Sequence, residues 1–353
     1  MSDHPKVSVV SISYNQEKYI EQALESFVKQ KTNFKFEIII GDDCSSDNTK
    51  RIIENYAKKY PDLIKPVLRE KNVGIASNLY NIMNRASGEY LALCEGDDYW
   101  TDEHKLQIQA DFLDKHTKYA LCFHPVKVIY EKNESDSTIF PDPKRVNEYT
   151  LTKLLEGNFI QTNSVMYRKQ NYNNLPEDIL PIDWYLHLCH AQKGEIGFIN
   201  KVMSVYRRHE EGAWWDVDGA KDKKWSKHGV KIINLFIHLQ KLFSGNTNAQ
   251  NILQQSTSRF LSEIIAADKK FNTNNLELIV QKDPEYITHL LLSQNYTIKK
   301  LNGNLNSRRH KQSETKINEL ESMNRRLNRE KNFIVNSKTW RLRKAFVSKL
   351  KKG

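Results

Sequence analysis

Along the first hundred residues the apolar positions switch repeatedly between two periods. "KVSVVSISYN" is a short apolar run ending in polar residues, the pattern of a buried strand. "QEKYIEQALESFVKQK" follows it with Ile20, Ala23, Leu24, Phe27 and Val28 at helical spacing. "FEIIIGDD" predicts a second strand and "NTKRIIENYAKKYP" a second helix, with Ile52, Ile53, Tyr56 and Ala57 on one face and Pro61 as its stop. "IKPVLRE", "ASNLYNIMNRA" and "EYLALCEGDD" continue as strand, helix closed by Gly88, and strand. This alternation predicts an α/β fold built on a doubly wound, mostly parallel sheet. Ligands bind such sheets outside the carboxyl ends of the strands, where "SYN", "DDCS" and "EGDD" all fall.

Three polar tips in one crevice make an acidic site, and adjacent carboxylates raise the cost of ionising one another. A divalent cation removes that cost, and hard oxygen ligands select Mg2+ or Mn2+, which in turn recruit phosphate. The chain has no G-x-x-x-x-G-K-[ST] loop and no G-x-G-x-x-G, so the P-loop and dinucleotide readings lose support.

At 353 residues the chain has room for a two-part core with an appended segment. No apolar run approaches the roughly 18 residues of a membrane-spanning helix, and the N-terminal apolar run reads as a strand rather than a signal sequence, so a cytoplasmic protein is expected. The four cysteines are scattered without C-x-x-C spacing, which argues for reduced thiols and against a metal cage. The net charge of +11 would suggest nucleic acid until its distribution is read. From Lys299 onward there are seventeen Lys and Arg against four Glu, a local +13 that leaves the rest at about −2. The body therefore has no basic bias, and no specific nucleic-acid partner is expected.

"VSVVSISYNQEKYIEQALESFVKQ", "EIIIGDDCSSDNT", "NVGIASN", "ASGEYLALCEGDDYW", "LPIDWYLHL" and "YRRHEEG", in that order from about residue 6 to residue 215, resemble the family-two glycosyltransferases of the GT-A fold. The resemblance implies a nucleotide-sugar donor, usually a UDP-sugar, bound by residues 1–100, and an acceptor bound by residues 101–225. It places Ser13 and Tyr14 beside the nucleobase, makes Asp43 the carboxylate that reads the pyrimidine, and adds Asn72 as a donor contact. Asp97 would face the ribose, and Asp98 would bind the Mn2+ or Mg2+ ion that bridges the diphosphate and offsets charge on the leaving group. Asp42 either orients the loop or caps the turn before "SSDNT", and Asp47 reads as a helix N-cap. Two positions depart from the family pattern: Glu95, where many relatives carry Asp, and Ser77, where many carry Arg.

A sugar hydroxyl needs a base to accept its proton in the transition state. By resemblance that base is Asp183 in "EDILPIDWYLHLCH", in an inverting transfer, with capping of a helix that starts at Trp184 as the alternative. Trp184 either stacks on an acceptor sugar or belongs to the core. Thr162 and Asn163, in "FIQTNSVMYRK", are expected acceptor contacts on a strand. His209 in "SVYRRHEEGAWW" matches a histidine that reaches the metal or diphosphate in relatives. The following "EEGAWW", with Gly212 as hinge, reads as a flap. His124, His187, His190 and His228 show no ligand spacing and receive no role.

Beyond about residue 225 the pattern is helical, predicting an added helical layer over 226–305 and a basic helical tail over 306–353. Near-heptad spacing of Ile317, Leu320, Leu327 and Ile334 is interrupted by Asn324 and Lys331, so a coiled coil there would be short. Residues 338–352 set Trp340, Leu342, Phe346, Val347 and Leu350 against a basic face, which suits an anionic membrane surface; docking on the protein itself and nonspecific nucleic-acid binding are the alternatives.

These readings converge on a metal-dependent, inverting transferase of surface-polysaccharide synthesis, acting on a glycan or lipid-linked acceptor from a peripheral position on the inner face of the membrane. Two other readings stay open. A sugar-phosphate nucleotidyltransferase would want a Gly-rich basic loop where "SYNQEKY" stands, and a noncatalytic nucleotide-sugar or nucleic-acid binding protein would tolerate loss of Asp98 and Asp183.

Overall fold

The computed structural model describes residues 4–132, 137–142, 148–212 and 221–291. The predicted series forms as β1 (Val7–Ser13), α1 (Ile20–Val28), β2 (Phe36–Asp42), α2 (Thr49–Lys59), β3 (Ile64–Leu68), α3 (Ile75–Arg85) and β4 (Tyr90–Leu93). Then follow β5 (Tyr99–Trp100), α4 (Lys105–Lys115), β6 (Tyr119–Phe123), β7 (Val126–Tyr130), β8 (Thr138–Phe140), α5 (Leu151–Glu156), β9 (Met166–Arg168), α6 (Ile182–Ala191), β10 (Glu195–Phe198) and β11 (Ser204–Arg208). Three helices close the described chain: α7 (Lys221–Leu242), α8 (Thr247–Phe271) and α9 (Asn275–Lys282).

The main sheet has seven strands in the order β10-β6-β9-β4-β1-β2-β3. Its pairings are parallel except those of β9, which runs antiparallel to both β4 and β6. Alternate residues of a strand face opposite sides, and here both sides are covered. Val7, Val9, Ile38 and Ile40 pack with Leu24 and Phe27 of α1 and Ile53 of α2. Val10 and Ile39 pack on the other side with Leu79, Ile82 and Met83 of α3. Two-sided burial is why these strands read as unbroken apolar runs. A fully buried isoleucine contributes about 2 kcal/mol, so the Ile38–Ile40 triplet is a main stabiliser of the sheet.

The C-terminal helices are not a separate layer. Phe236 of α7 and Leu253, Leu261 and Ile264 of α8 lie in the same apolar cluster as Leu79, Leu93 and Leu186. A four-stranded sheet, β5-β11-β7-β8, completes the fold. β5 follows the 95–98 loop and β11 leads into His209, so this small sheet fastens two ends of the crevice together. Among the described residues no helix is long and apolar enough to cross a membrane. The tail over 306–353, with its membrane-surface and coiled-coil readings, lies outside the described residues, and so does the flap segment from residue 213.

Candidate active site

Parallel register brings the predicted tips together. Ser13 at the end of β1 pairs with Asp42 at the end of β2, and the ladder continues into the loops, with Asp43 N donating to Ser13 O at 3.0 Å and Gly96 N to Ile12 O at 3.0 Å. Gly96 suits this approach, because a Cβ there would stand 2.5 Å from Gln16 Oε1 and 2.7 Å from Ile20 Cδ1, and those side-chain ends would have to shift. The loops after β1 and β2 interlock. Asn15 Oδ1 accepts from Ser46 N at 2.8 Å, and Ser45 Oγ accepts from Asn15 N at 2.9 Å.

The two aspartates after β2 have separate duties. Asp42 is fully buried and accepts from Ser13 Oγ, Ser45 Oγ and Ser45 N, so it both caps the turn and orients the loop. Asp43 accepts from the backbone of Val73 and Gly74, each at 2.8 Å, and so fixes the start of α3 where Gly74 has φ +87°. Asn72 Oδ1 accepts from the same Gly74 N at 3.1 Å. Asp47 accepts from Thr49 N at 2.9 Å, the first N–H of α2, while Asn48 occupies the cap position itself. Tyr14, 49% exposed, presents its ring to solvent at the crevice mouth.

Glu95, Asp97 and Asp98 each direct a carboxylate oxygen to one point, with all three oxygens within 4.8 Å of one another. Burial, followed by the charges of Asp97 and Asp183, pushes the Glu95 carboxyl up to about 8. Burial, followed by Asp97 and Glu95, raises Asp98 well above the carboxylate range. The three differ in access. Asp98 is 1% exposed, and its oxygens already accept from Arg207 N at 2.8 Å and Asn163 Nδ2 at 2.9 Å. Asp97 is the more open, and its Oδ2 lies 3.1 Å from His209 Nε2. His209 is buried against the Tyr19 ring at 4.5 Å, and its Nδ1 has no hydrogen-bond partner. Arg207 donates to Asp97 O at 3.1 Å and lies over the rings of Tyr19 and Tyr99.

Asp183 is the second residue of α6, whose N-cap is Pro181 without a side-chain cap bond, so Asp183 does not cap the helix. It accepts from Asn158 Nδ2 at 3.0 Å and remains partly open, and its charge bears on Glu95 across the crevice. Three acceptor-side expectations need correction. Residues 162–164 form one turn of 3-10 helix, and the strand starts only at Met166. Asn163 is wholly buried, with its amide committed to Asp98, Val205 O and Ser204 Oγ, so it supports the acidic loop and cannot meet an acceptor. Trp184 donates to Leu154 O at 2.7 Å and packs edge-on against Phe236, so it is core and not a sugar platform. Thr162 is nearly buried beside Glu95.

Sequence reasoning missed Asn158, His187 and Arg69. Helical i, i+4 spacing alone would have paired His187 with Asp183. Arg69 lines a cavity of about 470 Å³ with Ser77, Tyr80, Asn84, Tyr172 and Glu177, and its Nη2 is buried without a partner.

Residues 8–175 match the family model described as "Glycosyl transferase family 2". The uncharacterized protein Rv1520 of Mycobacterium tuberculosis is 46% identical over 259 residues, 73% of this chain and 75% of that protein. The chain belongs to glycosyl transferase family 2. Solved structures agree on the fold of this glycosyltransferase. Staphylococcus aureus TarS residues 1–349, in complex with UDP-GlcNAc, align with TM-score 0.50 at 22% identity over 81% of this chain and 79% of that one. The Pyrobaculum calidifontis mannosyltransferase PcManGT, in complex with GDP-Man and Mn2+, aligns with TM-score 0.53 at 16% identity over 87% and 89%. This glycosyltransferase thus has the GT-A architecture, with a parallel-rich sheet and C-terminal helices.

Proposed function

We propose that the enzyme transfers a sugar, with inversion, from a nucleoside-diphosphate donor such as a UDP-sugar to a hydroxyl of a surface glycan or lipid-linked acceptor. The observation that carries this reading is the convergence of Glu95, Asp97 and Asp98 at the strand ends, with Asp183 facing them. The acceptor class rests on TarS, which is named a poly(ribitol-phosphate) β-N-acetylglucosaminyltransferase.

The donor set fits a divalent cation. Three carboxylates raised or crowded by burial, with a partnerless buried His209 Nδ1 beside them, are costly without a positive charge. Asp97 and Glu95 would hold Mn2+ or Mg2+ from the open side, with Asp98 behind them and His209 at the edge. Bound there, the ion would offset charge on the departing diphosphate. Asp43, through the 73–74 turn, shapes the nucleobase end together with Ser13, Tyr14 and Asn72. Arg69 supplies a cation in the cleft where Ser77 lacks one. Asp183 accepts the acceptor hydroxyl's proton as the glycosidic bond forms on the face opposite the leaving group.

Titration calorimetry of the intact protein with UDP tests the reading. Binding should require Mn2+ and be lost in Asp97→Ala, and Arg69→Ala should weaken it about tenfold. UDP affinity that ignores both Mn2+ and Asp97→Ala would refute the site.

A further inference from the structure

α6 aligns Asp183, His187 and His190 on one face, and that face meets Tyr167 of β9. His187 is wholly buried, and its Nδ1 lies 2.5 Å from Tyr167 Oη. Burial holds the Tyr167 phenol protonated well beyond the usual range, and it donates to Nδ1 when the neutral imidazole carries its proton on the other nitrogen. The imidazole proton is then on Nε2. That atom has no hydrogen-bond partner and lies 3.7 Å from Asp183 Oδ2.

His190 fixes the other side of this arrangement. Its ring stacks on Tyr167 at 4.0 Å and 9°, its Nδ1 accepts from Gln170 Nε2 at 3.1 Å, and its Nε2 meets Tyr172 Oη at 3.2 Å. Burial, then His187, lowers His190 to about 3, so the stacked ring is neutral. The Tyr167 ring thus has little freedom to turn its hydroxyl elsewhere.

We propose that His187, fixed in its Nε2–H tautomer by Tyr167, is the positioning residue for Asp183: it aims the carboxylate at the acceptor and stabilises its anionic form. Asn158 Nδ2 and His187 Nε2 approach the same oxygen, Oδ2, which leaves Oδ1 free for the acceptor proton. At 3.7 Å the contact of the neutral imidazole is longer than a hydrogen bond, and catalytic hydrogen bonds that are long in the free enzyme often tighten when substrate fills the site. The proposal rests on the reading of Asp183 as general base.

Full-length protein with 15N-histidine is examined by multiple-bond 1H–15N NMR, a measurement that needs no donor, with His187→Gln giving the assignment. The expected result is a neutral Nε2–H His187 whose tautomer mixture changes in Tyr167→Phe and whose Nε2 resonance shifts in Asp183→Asn. An Nδ1–H tautomer, or resonances indifferent to Asp183→Asn, overturns the proposal and leaves the base reading intact. With Mn2+ and UDP-GlcNAc as the donor tested, UDP release by His187→Phe should fall about 10- to 100-fold in kcat at unchanged KM. His187→Gln, whose amide can donate to Asp183, should recover most of that rate. Equal losses in the two variants overturn the positioning role. Wild-type release by Asp183→Asn overturns the base reading, and the positioning role falls with it.

Discussion

Asn163 Nδ2 lies 2.9 Å from Asp98 Oδ2, and neither residue is more than 1% exposed. The amide bridges the acidic loop to Val205 O of β11, so the carboxylate nearest the protein interior is held by a neutral donor. Asn163→Ala removes that donor and strands both acceptors. It should cost about 2–3 kcal/mol, read as a lower urea midpoint at unchanged slope. Asn163→Asp should cost more, because it buries a further acidic group against the crowded Glu95, Asp97 and Asp98 cluster.

Glu95 gives the metal-free protein a pH dependence of defined sign. Its native value of about 8 is above the unfolded value of about 4.3, so the folded state holds the extra proton between them. The stability this contributes is complete below about pH 4 and is lost as pH rises through about 8. Calorimetric scans from pH 6 to 8.5 should show wild type losing Tm relative to Glu95→Gln. Added Mn2+ should restore more at pH 8.5 than at pH 6, since its ligands must be deprotonated. A pH-independent Tm gap between the two proteins would count against the assignment.

Lys105 should titrate in the opposite sense. It is wholly buried over the Trp100 ring, its Nζ donating to Gln109 Oε1 at 2.7 Å, and burial lowers it to about 7. The unfolded chain binds the proton more readily between about 7 and about 10.4, so stability rises with pH across that window. Wild type should therefore gain on Lys105→Met between pH 7 and pH 10 in denaturant titrations. A constant difference would argue that the ammonium stays charged in the core.

Gly96→Ala tests how closely the acidic loop must approach β1. The new Cβ would meet the side-chain ends of Gln16 and Ile20 and stand 3.2 Å from Ser13 Cβ, so either those side chains turn away or the loop moves outward. The expected cost is about 1–2 kcal/mol in stability, with UDP–Mn2+ affinity at least tenfold weaker by calorimetry. Unaltered affinity would mean that the side chains turn away and the carboxylates keep their geometry.

The alternation of strand and helix was legible because both faces of the sheet are buried and each strand ends abruptly in polar residues. Asp43 and Asp97 could be placed at the crevice for the same reason, since each follows an apolar strand at a place where topology puts ligands, whereas Asp183, ahead of a helix, stands out only through the family resemblance. The supporting role of Asn163 was not legible, and the choice between core and sugar platform for Trp184 could not be made, because their partners are remote in sequence. Trp184 meets Phe236 across the α6–α7 contact, and Asn163 meets Val205 of β11. Nothing local distinguishes a polar residue that supports a loop from one that meets a sugar. The antiparallel insertion of β9 was equally hidden, since a three-residue strand carries too little pattern to reveal its direction.

The residue after Asp183 is Trp184, and its burial against Leu154 and Phe236 ties the start of α6 to α7. The opening turn of α6 therefore belongs to the same cooperative unit as α7 and α8. Its amides should exchange with theirs, and not with the interlocked loops after β1 and β2. On the function proposed above, a cut made in the C-terminal helices would loosen the turn that carries Asp183 first, leaving an enzyme that still grips its nucleotide but no longer aims its base.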